Sequence, residues 1–351
     1  MNRVYQHVNV PAHPTILICT YLEPEFVDRI RAGAPCEVLY APELLPNPRY
    51  RNDHGGVRPS LTAAQDEQWS MMLATADIAF DFDWRAPGDL LTTAPRLRWV
   101  QATSAGIGGF VQRYGLDGGN VTFTTAAGTH AAPLAEFAVA GALHFVKDVL
   151  GLMRGQRAHH WQRHVSGQLA GRRATVVGLG SVGRRVAEFY HRLGVEVTGV
   201  GRAGSHYDVP QQIRVVTTDE LDQVLPDTDI LVLACPLTEQ TRDLVNAARV
   251  ALLPAGAIVV NVARGQVIDE PALTEALASG RLGGAALDVF DTEPLPDASP
   301  LWDLPNVLVS PHSASTAANE NAVLTELFLD NLHRHLRGEP LRNVYRSDRG
   351  Y

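Results

Sequence analysis

Short apolar runs, bounded by Gly, Pro and polar clusters, recur along this chain with helix-period segments between them. Thr15-Ile-Leu-Ile-Cys-Thr20 reads as a buried strand, residues 23–32 as a helix and Cys36-Glu-Val-Leu-Tyr40 as a second strand. Pro46, Pro48, Gly55, Gly56 and Pro59 make residues 45–60 a loop. The pattern then predicts a helix over 62–76 and strands over 77–80, 97–101 and 121–124. A long Ala-rich helix is predicted from about 131 to 160. Strands follow at 174–177, 195–200, 230–234, 258–262, 284–288 and 307–310. Val215, Leu221 and Val224 read as the helix leading into the 230–234 strand. Residues 317–336 read as a closing helix with Leu324, Leu327, Phe328 and Leu332 on one face. Strand and helix alternate throughout, which predicts an α/β fold of parallel sheets covered by helices.

One of these strands runs straight into Gly178-Leu-Gly180-Ser-Val-Gly183, and a helical pattern opens at once. That layout suits a dinucleotide. Gly178 permits the tight turn, Gly180 lets backbone approach a pyrophosphate, and Gly183 lets helix pack on strand. The amides of Ser181 and Val182, at the helix start, then face the phosphates. In NAD-binding units an acid at the end of the next strand accepts from the ribose hydroxyls. Here that strand ends Val200-Gly201-Arg202, with Ser205 and His206 behind. An arginine pairs with a 2′-phosphate that an acid would repel, so the sequence favours NADP over NAD.

At 351 residues the chain is long enough for two domains. Its net charge of −8 argues against a nucleic-acid surface. No apolar run reaches membrane-spanning length, and Met1 to Pro14 lack the apolar core of a signal peptide. The cysteines, Cys19, Cys36 and Cys235, are few and widely spaced. They suggest neither a disulfide framework nor a zinc site, and fit a reducing, cytoplasmic setting.

Three segments at strand ends carry acid–base chemistry. Arg264 follows the 258–262 strand, Asp288 and Glu293 follow the next, and His312 follows the last. The carboxyl ends of parallel strands are where open α/β sheets bind ligands. Singly, each has a plain structural explanation: a surface cation, a turn acid before Pro294, a loop histidine.

Together, in this order and spacing, the motifs resemble the D-isomer-specific 2-hydroxyacid dehydrogenase family. The resemblance rests on Gly178-x-Gly180-x-x-Gly183, on Cys235-Pro236-Leu-Thr238-x-x-Thr241, and on Val262-Ala263-Arg264-Gly-x-x-x-Asp269-Glu. It continues in Leu287-Asp-Val-Phe-x-x-Glu293-Pro-Leu-Pro296 and in Pro311-His312. It spans roughly Leu97 to Ser315, with a familiar close at Arg342-Asn-Val344 and Gly350-Tyr351; the N-terminal segment matches in strand–helix rhythm alone.

The resemblance implies two domains. A Rossmann-type dinucleotide-binding domain (127–313) is inserted into a flavodoxin-like substrate domain (1–126 with 314–351), and substrate binds in the cleft. It implies hydride transfer from NAD(P)H to a small 2-oxo acid such as glyoxylate or hydroxypyruvate. His312 matches the proton donor, Glu293 the carboxylate that holds its tautomer, and Arg264 the guanidinium that grips the substrate. Asp288 matches a residue near the nicotinamide amide; Cys235, Pro236, Thr241, Val262, Ala263 and His312 match further cofactor contacts. Ser104, Ala105 and Gly106 match a loop whose amides bind the substrate carboxylate. The resemblance further implies a homodimer.

Tyr50, Arg51, His54, Trp84 and Arg85 are candidates to line the substrate pocket; His130 could reach the cleft mouth, though a histidine at a helix start reads more simply as surface. Two other readings stay open at this level. One is a non-catalytic NAD(H)-sensing corepressor-like binding protein; the other is a hydrolytic enzyme with tightly held NAD.

Overall fold

In the computed structural model, which describes Pro11 and residues 13–117 and 119–347, the apolar runs become two separate parallel sheets. The opening polar segment up to residue 10 and the closing Gly350-Tyr351 lie outside the described residues. The chain divides into two compact units. The first holds the residues up to His130 together with those from Thr316 onward; the second is Ala131–Ser315.

The first unit runs β1 (Thr15–Ile18), α1 (Pro24–Gly33), β2 (Glu37–Leu39), α2 (Ala63–Thr75), β3 (Ile78–Phe80), α3 (Leu90–Thr93), β4 (Trp99–Gln101), α4 (Gly108–Arg113) and β5 (Thr122–Thr124). The sheet order is β2-β1-β3-β4-β5, all parallel, which is the flavodoxin-like order. Side chains alternate across it. Ile16, Ile18, Phe80 and Trp99 face one side, Leu17, Ala79 and Val100 the other, so both faces must be covered. The C-terminal helix, Glu320–Leu336, covers the first face with Leu324, Phe328 and Leu332. Trp99 stacks on Phe328 at 5.1 Å between centroids. Helix α2 covers the second with Trp69 and Leu73, and opens on a capping box between Thr62 and Gln65.

The second unit runs α5 (Ala131–Val146), α6 (Val149–Arg157), β6 (Arg173–Val177), α7 (Ser181–Arg192), β7 (Glu196–Gly201), β8 (Arg214–Thr217), α8 (Leu221–Val224), β9 (Ile230–Leu233), α9 (Ala247–Leu252), β10 (Ile258–Asn261), α10 (Glu270–Ala278), β11 (Gly284–Leu287) and β12 (Val307–Val309). Its order is β12-β11-β10-β9-β6-β7-β8, all parallel. Direction reverses at β6 and β9, the Rossmann switch point. Among the described residues no helix is long and apolar enough to cross a membrane.

Two sequence expectations need correction. The helix predicted over 131–160 is two helices. Asp148 takes a left-handed conformation (φ +46°) and its carboxylate accepts the Gly151 amide at 3.0 Å, capping a new start. The chain leaves helix again after Arg157. A period of 3.6 cannot register such a break, because apolar residues continue on both sides of it. Val215 does not belong to a helix: it lies in β8, paired with Gly199, and the α-helix is the single turn Leu221–Val224, flanked by 3-10 turns. As an edge strand β8 shows a weak apolar signal, with Arg214 and Val215 both exposed.

The small residues of α5 have a packing reason. Ala135, Ala138 and Ala142 are fully buried, and a Cβ at Gly141 would stand 2.5 Å from the Ala286 methyl on β11. Close approach of helix to sheet selects Ala and Gly there.

Candidate active site

The glycine turn is built as its spacing requires. Gly178 has φ +94°, and a Cβ there would stand 2.6 Å from Cys235 Cα, so strand β9 closes on the turn. A Cβ at Gly183 would overlap the Gly178 carbonyl, which holds α7 hard against β6. At Gly180 a Cβ would meet nothing within 4 Å. Helix α7 opens there with no side-chain cap and no acid in its first turn. Uncapped amides and the helix dipole favour an anion at this end. The residues present therefore fit a dinucleotide pyrophosphate.

Arg202 lies exposed just past β7, and its amide donates to the Tyr207 hydroxyl at 2.8 Å. Gly201 admits the Tyr207 ring, which a Cβ would displace. Past β9, Thr241 locks the next turn: its hydroxyl donates to the Pro236 carbonyl at 2.6 Å and accepts from the Thr238 amide at 2.7 Å. Cys235 is buried, and burial pushes its thiol up to about 11, so it is an inert packing group.

The loops after β10, β11 and β12 are tied to one another. Buried Asn261 accepts the Ala263 amide at 3.0 Å and donates to the Arg264 carbonyl at 3.1 Å, shaping the loop that carries Arg264. Arg264 is partly buried, and its guanidinium donates to the Ala263 carbonyl at 2.7 Å. A Cβ at Gly265 would overlap the Phe290 backbone, so this loop packs directly on the one after β11. Gln266 adds a bond to the Asp291 carbonyl at 2.6 Å.

Glu293 accepts the Phe290 amide on Oε1 at 3.0 Å and meets His312 Nδ1 with Oε2 at 2.7 Å. The two side chains are 34% and 43% exposed, so the pair is reachable from solvent. His312 has φ +53°, a region uncommon for a residue with a Cβ. Its loop is held by Asp288, whose Oδ1 accepts the Ser310 hydroxyl at 2.5 Å and the Ser313 and Ala314 amides at 2.8 and 2.9 Å. Burial pushes the Asp288 carboxyl upward; the Ser310 bond, the two amides and His312 pull it back. Asp288 thus positions the histidine loop through backbone donors.

In the first unit, Ser104, Ala105 and Gly106 follow β4, with Ser104 and Gly106 exposed. The Ser104 hydroxyl accepts the Gly106 amide at 3.3 Å. The pocket-lining candidates fall into three groups. Tyr50 and Arg51 border a shallow cavity with Tyr21, Glu23, Pro48 and Asn52. Trp84 and Arg85 pack on α2, against Trp69 and Asp66 respectively. His54 sits on Thr20, with Glu320 beside it. His130 is no surface residue: its side chain is 14% exposed and pairs with Glu320 at 3.0 Å. Among the described residues no group of three or more His, Cys, Asp or Glu side chains could hold a metal ion.

A family model for the NAD-binding domain of D-isomer specific 2-hydroxyacid dehydrogenases matches residues 139–314. Glyoxylate/hydroxypyruvate reductase B of Pectobacterium carotovorum is 32% identical over 277 residues, covering 77% of this chain and 86% of that protein. The chain belongs to the D-isomer specific 2-hydroxyacid dehydrogenase family. A family member from Xanthobacter autotrophicus, solved with NADPH and MES, is 30% identical, with TM-score 0.76 over 97% of this chain and 100% of that one. An NADPH-dependent glyoxylate/hydroxypyruvate reductase from Sinorhizobium meliloti, solved with NADP and sulfate, is 26% identical, with TM-score 0.74 over 96% and 100%. The two solved structures match across the N-terminal unit as well, which sequence motifs left matched in rhythm alone.

Sequence reasoning missed several supports that this dehydrogenase uses. Asn261, Ser310 and Tyr207 are neither charged nor in a motif of known chemistry. For Asn261 and Ser310 the one usable signal was position, at or just beyond the end of an apolar strand, where a polar side chain has loop amides to satisfy; Tyr207, six residues past β7, gave none.

Proposed function

We propose that this dehydrogenase reduces a small 2-oxo acid to the D-2-hydroxy acid with NADPH. The observation that carries the reading is the 2.7 Å pairing of His312 with Glu293, on a loop tied to the one bearing Arg264. When bound, a reduced nicotinamide supplies the hydride that adds to C2. The proton for the keto oxygen comes from His312 Nε2, since Nδ1 is engaged by Glu293. Glu293 fixes the tautomer and orientation of the ring, as a carboxylate does for a catalytic imidazole. Arg264 polarises the carbonyl and pairs with the substrate carboxylate, which a planar guanidinium suits. The amides of Ser104, Ala105 and Gly106 take that carboxylate as well.

The Ala131–Ser315 unit is, in this reading, the dinucleotide domain. Gly178, Gly180, Ser181, Val182 and Gly183 hold the pyrophosphate, and Arg202 the 2′-phosphate. Cys235, Pro236, Thr241, Val262, Ala263, Asp288 and His312 line the rest of the cofactor groove. The names of the relatives support glyoxylate and hydroxypyruvate as substrates, and the NADPH- and NADP-bound neighbours support the cofactor. A homodimer in a cytoplasmic setting completes the proposal; exposed Leu152, Met153, Trp161 and Val165 support the dimer and three free cysteines the setting.

The test is to follow reduced-nicotinamide absorbance with a panel of 2-oxo acids and both cofactors. Consumption of NADPH with glyoxylate or hydroxypyruvate is the expected result. Tight NADPH binding with no turnover on any 2-oxo acid would overturn it.

A further inference from the structure

Strand β7 ends in a residue without a side chain. Gly201 is its last position, and Arg202 follows. In NAD-binding units an acid at this end of the strand reaches the ribose hydroxyls. The backbone does not ask for glycine here, since Gly201 lies in a strand and outside the left-handed region. What excludes a side chain is Tyr207. A Cβ at Gly201 would overlap the ring at Cε2 and stand 2.7 Å from Cζ and 2.9 Å from the hydroxyl oxygen. The phenol therefore fills the volume into which a strand-end acid would project.

The chain is turned to bring it there. Gly204 has φ +71°, and the Ser205 amide donates to the Arg202 carbonyl at 3.3 Å, closing a tight turn directly after the strand. Tyr207 then folds back, and its hydroxyl accepts the Arg202 amide at 2.8 Å. Tyr207 is half-buried, while Arg202, Ser205 and His206 are exposed.

The exchange of an acid for a phenol changes which ribose the strand end accepts. A carboxylate offers acceptors alone, which suit the two hydroxyls of an unmodified ribose and repel a phosphate. A phenol carries no charge, and its hydroxyl has one proton besides its lone pairs. A lone pair takes the Arg202 amide, so the proton remains to be donated. The oxygens of a 2′-phosphate are strong acceptors for it, and the guanidinium assigned to the same phosphate belongs to the residue whose backbone the phenol holds.

We propose that Tyr207 is a specificity-determining residue for the dinucleotide: its ring takes the place of the ribose-binding acid, and its hydroxyl donates to the 2′-phosphate beside Arg202. This rests on the NADPH reading above. The experiment is calorimetric titration of the full chain with oxidised NADP and NAD, which differ in the 2′-phosphate alone, so that no turnover is needed. The wild type is expected to bind NADP at least tenfold more tightly. Tyr207→Phe keeps the ring and loses the hydroxyl. It should weaken NADP by roughly 10- to 100-fold, the size of one hydrogen bond to a charged group, and leave NAD within about twofold. Gly201→Ala should act likewise, because its methyl expels the phenol. It should add little on top of Tyr207→Phe, since both remove the same bond.

A Tyr207→Phe chain that binds both dinucleotides as the wild type does would overturn the proposal. So would one that loses both by a single factor, the mark of a structural role, or a Gly201→Ala loss that adds in full to that of Tyr207→Phe. With the wild-type preference for NADP intact, each of these results strikes the Tyr207 assignment alone. A wild type that binds NAD as tightly as NADP strikes the NADPH reading and takes the inference with it.

Discussion

Glu293 Oε2 lies 2.7 Å from His312 Nδ1, while its Oε1 is anchored by the Phe290 amide at 3.0 Å. The carboxylate is therefore held before it orients the ring. His312→Ala should lower kcat by roughly 10²–10⁴-fold, the size of a general acid–base contribution. Glu293→Gln should cost less, since the amide can still accept one bond. Turnover at saturating NADPH checks both, and an unimpaired His312→Ala enzyme removes His312 from the proton-transfer role.

The backbone at Arg264 is fixed by Asn261 and by Gly265 packed on Phe290, and its guanidinium rests on the Ala263 carbonyl at 2.7 Å. Arg264→Ala should reduce kcat by about 10²–10³-fold, as for loss of one preorganised donor to a developing oxyanion. Arg264→Lys should restore little, because an ammonium cannot replace the planar fork. Full activity in the Lys variant would contradict bidentate binding.

Arg202 stands where NAD-specific units carry an acid. Arg202→Glu should weaken NADPH by roughly 10- to 100-fold, the equivalent of a charge-assisted bond of about 1.5–3 kcal/mol. NADH should be affected far less. Equal loss for the two cofactors in KM measurements would dismiss the 2′-phosphate role.

Asp53 ties the loop that presents His54. It accepts the Arg49 guanidinium at 2.7 and 3.0 Å, the Arg49 amide at 3.0 Å, and the Gly55 and Gly56 amides at 3.2 and 3.1 Å. The Arg49 side chain, above all, holds this carboxyl well below its usual range. A pKa lower in the folded than the unfolded chain adds stability above about pH 4, and that contribution fades as acid protonates the group. Asp53→Asn should cost about 1–3 kcal/mol at pH 7, from donors left unpaired, and only somewhat less near pH 3, where a carboxyl held this far below its usual range is still ionised in the folded chain. Urea melts at the two pH values measure this; an equal cost at both would show that charge plays no part.

How much was legible before the fold is clear from particular residues. Gly178, Gly180 and Gly183 carried their own meaning, because only a residue without Cβ fits against Cys235 and the Gly178 carbonyl. Arg264, Glu293 and His312 were visible because each follows an apolar strand, and parallel sheets gather such ends along one edge. Asp288 was visible as an acid but not as the clamp on residues 310–314, since two of its donors are backbone amides and leave no trace in side-chain identity. Tyr50, Arg51, His54, Trp84 and Arg85 were candidates to line the pocket, but their neighbours, Trp69 and Asp66 for the last two and Thr20 for His54, could not be read from spacing. Loop side chains take their neighbours from the whole unit rather than from local spacing.

What the order of residues determined alone is everything governed by short-range regularity: strand and helix alternation, the glycine turn, and the place of each reactive side chain at the end of its strand. These follow from backbone sterics and periodicity, which act over a few residues. Only the tertiary structure decided which distant groups meet. It joined Glu293 to His312, set His54 and His130 around Glu320, and broke the long helix at Asp148, because contact across space depends on how whole sheets and helices pack.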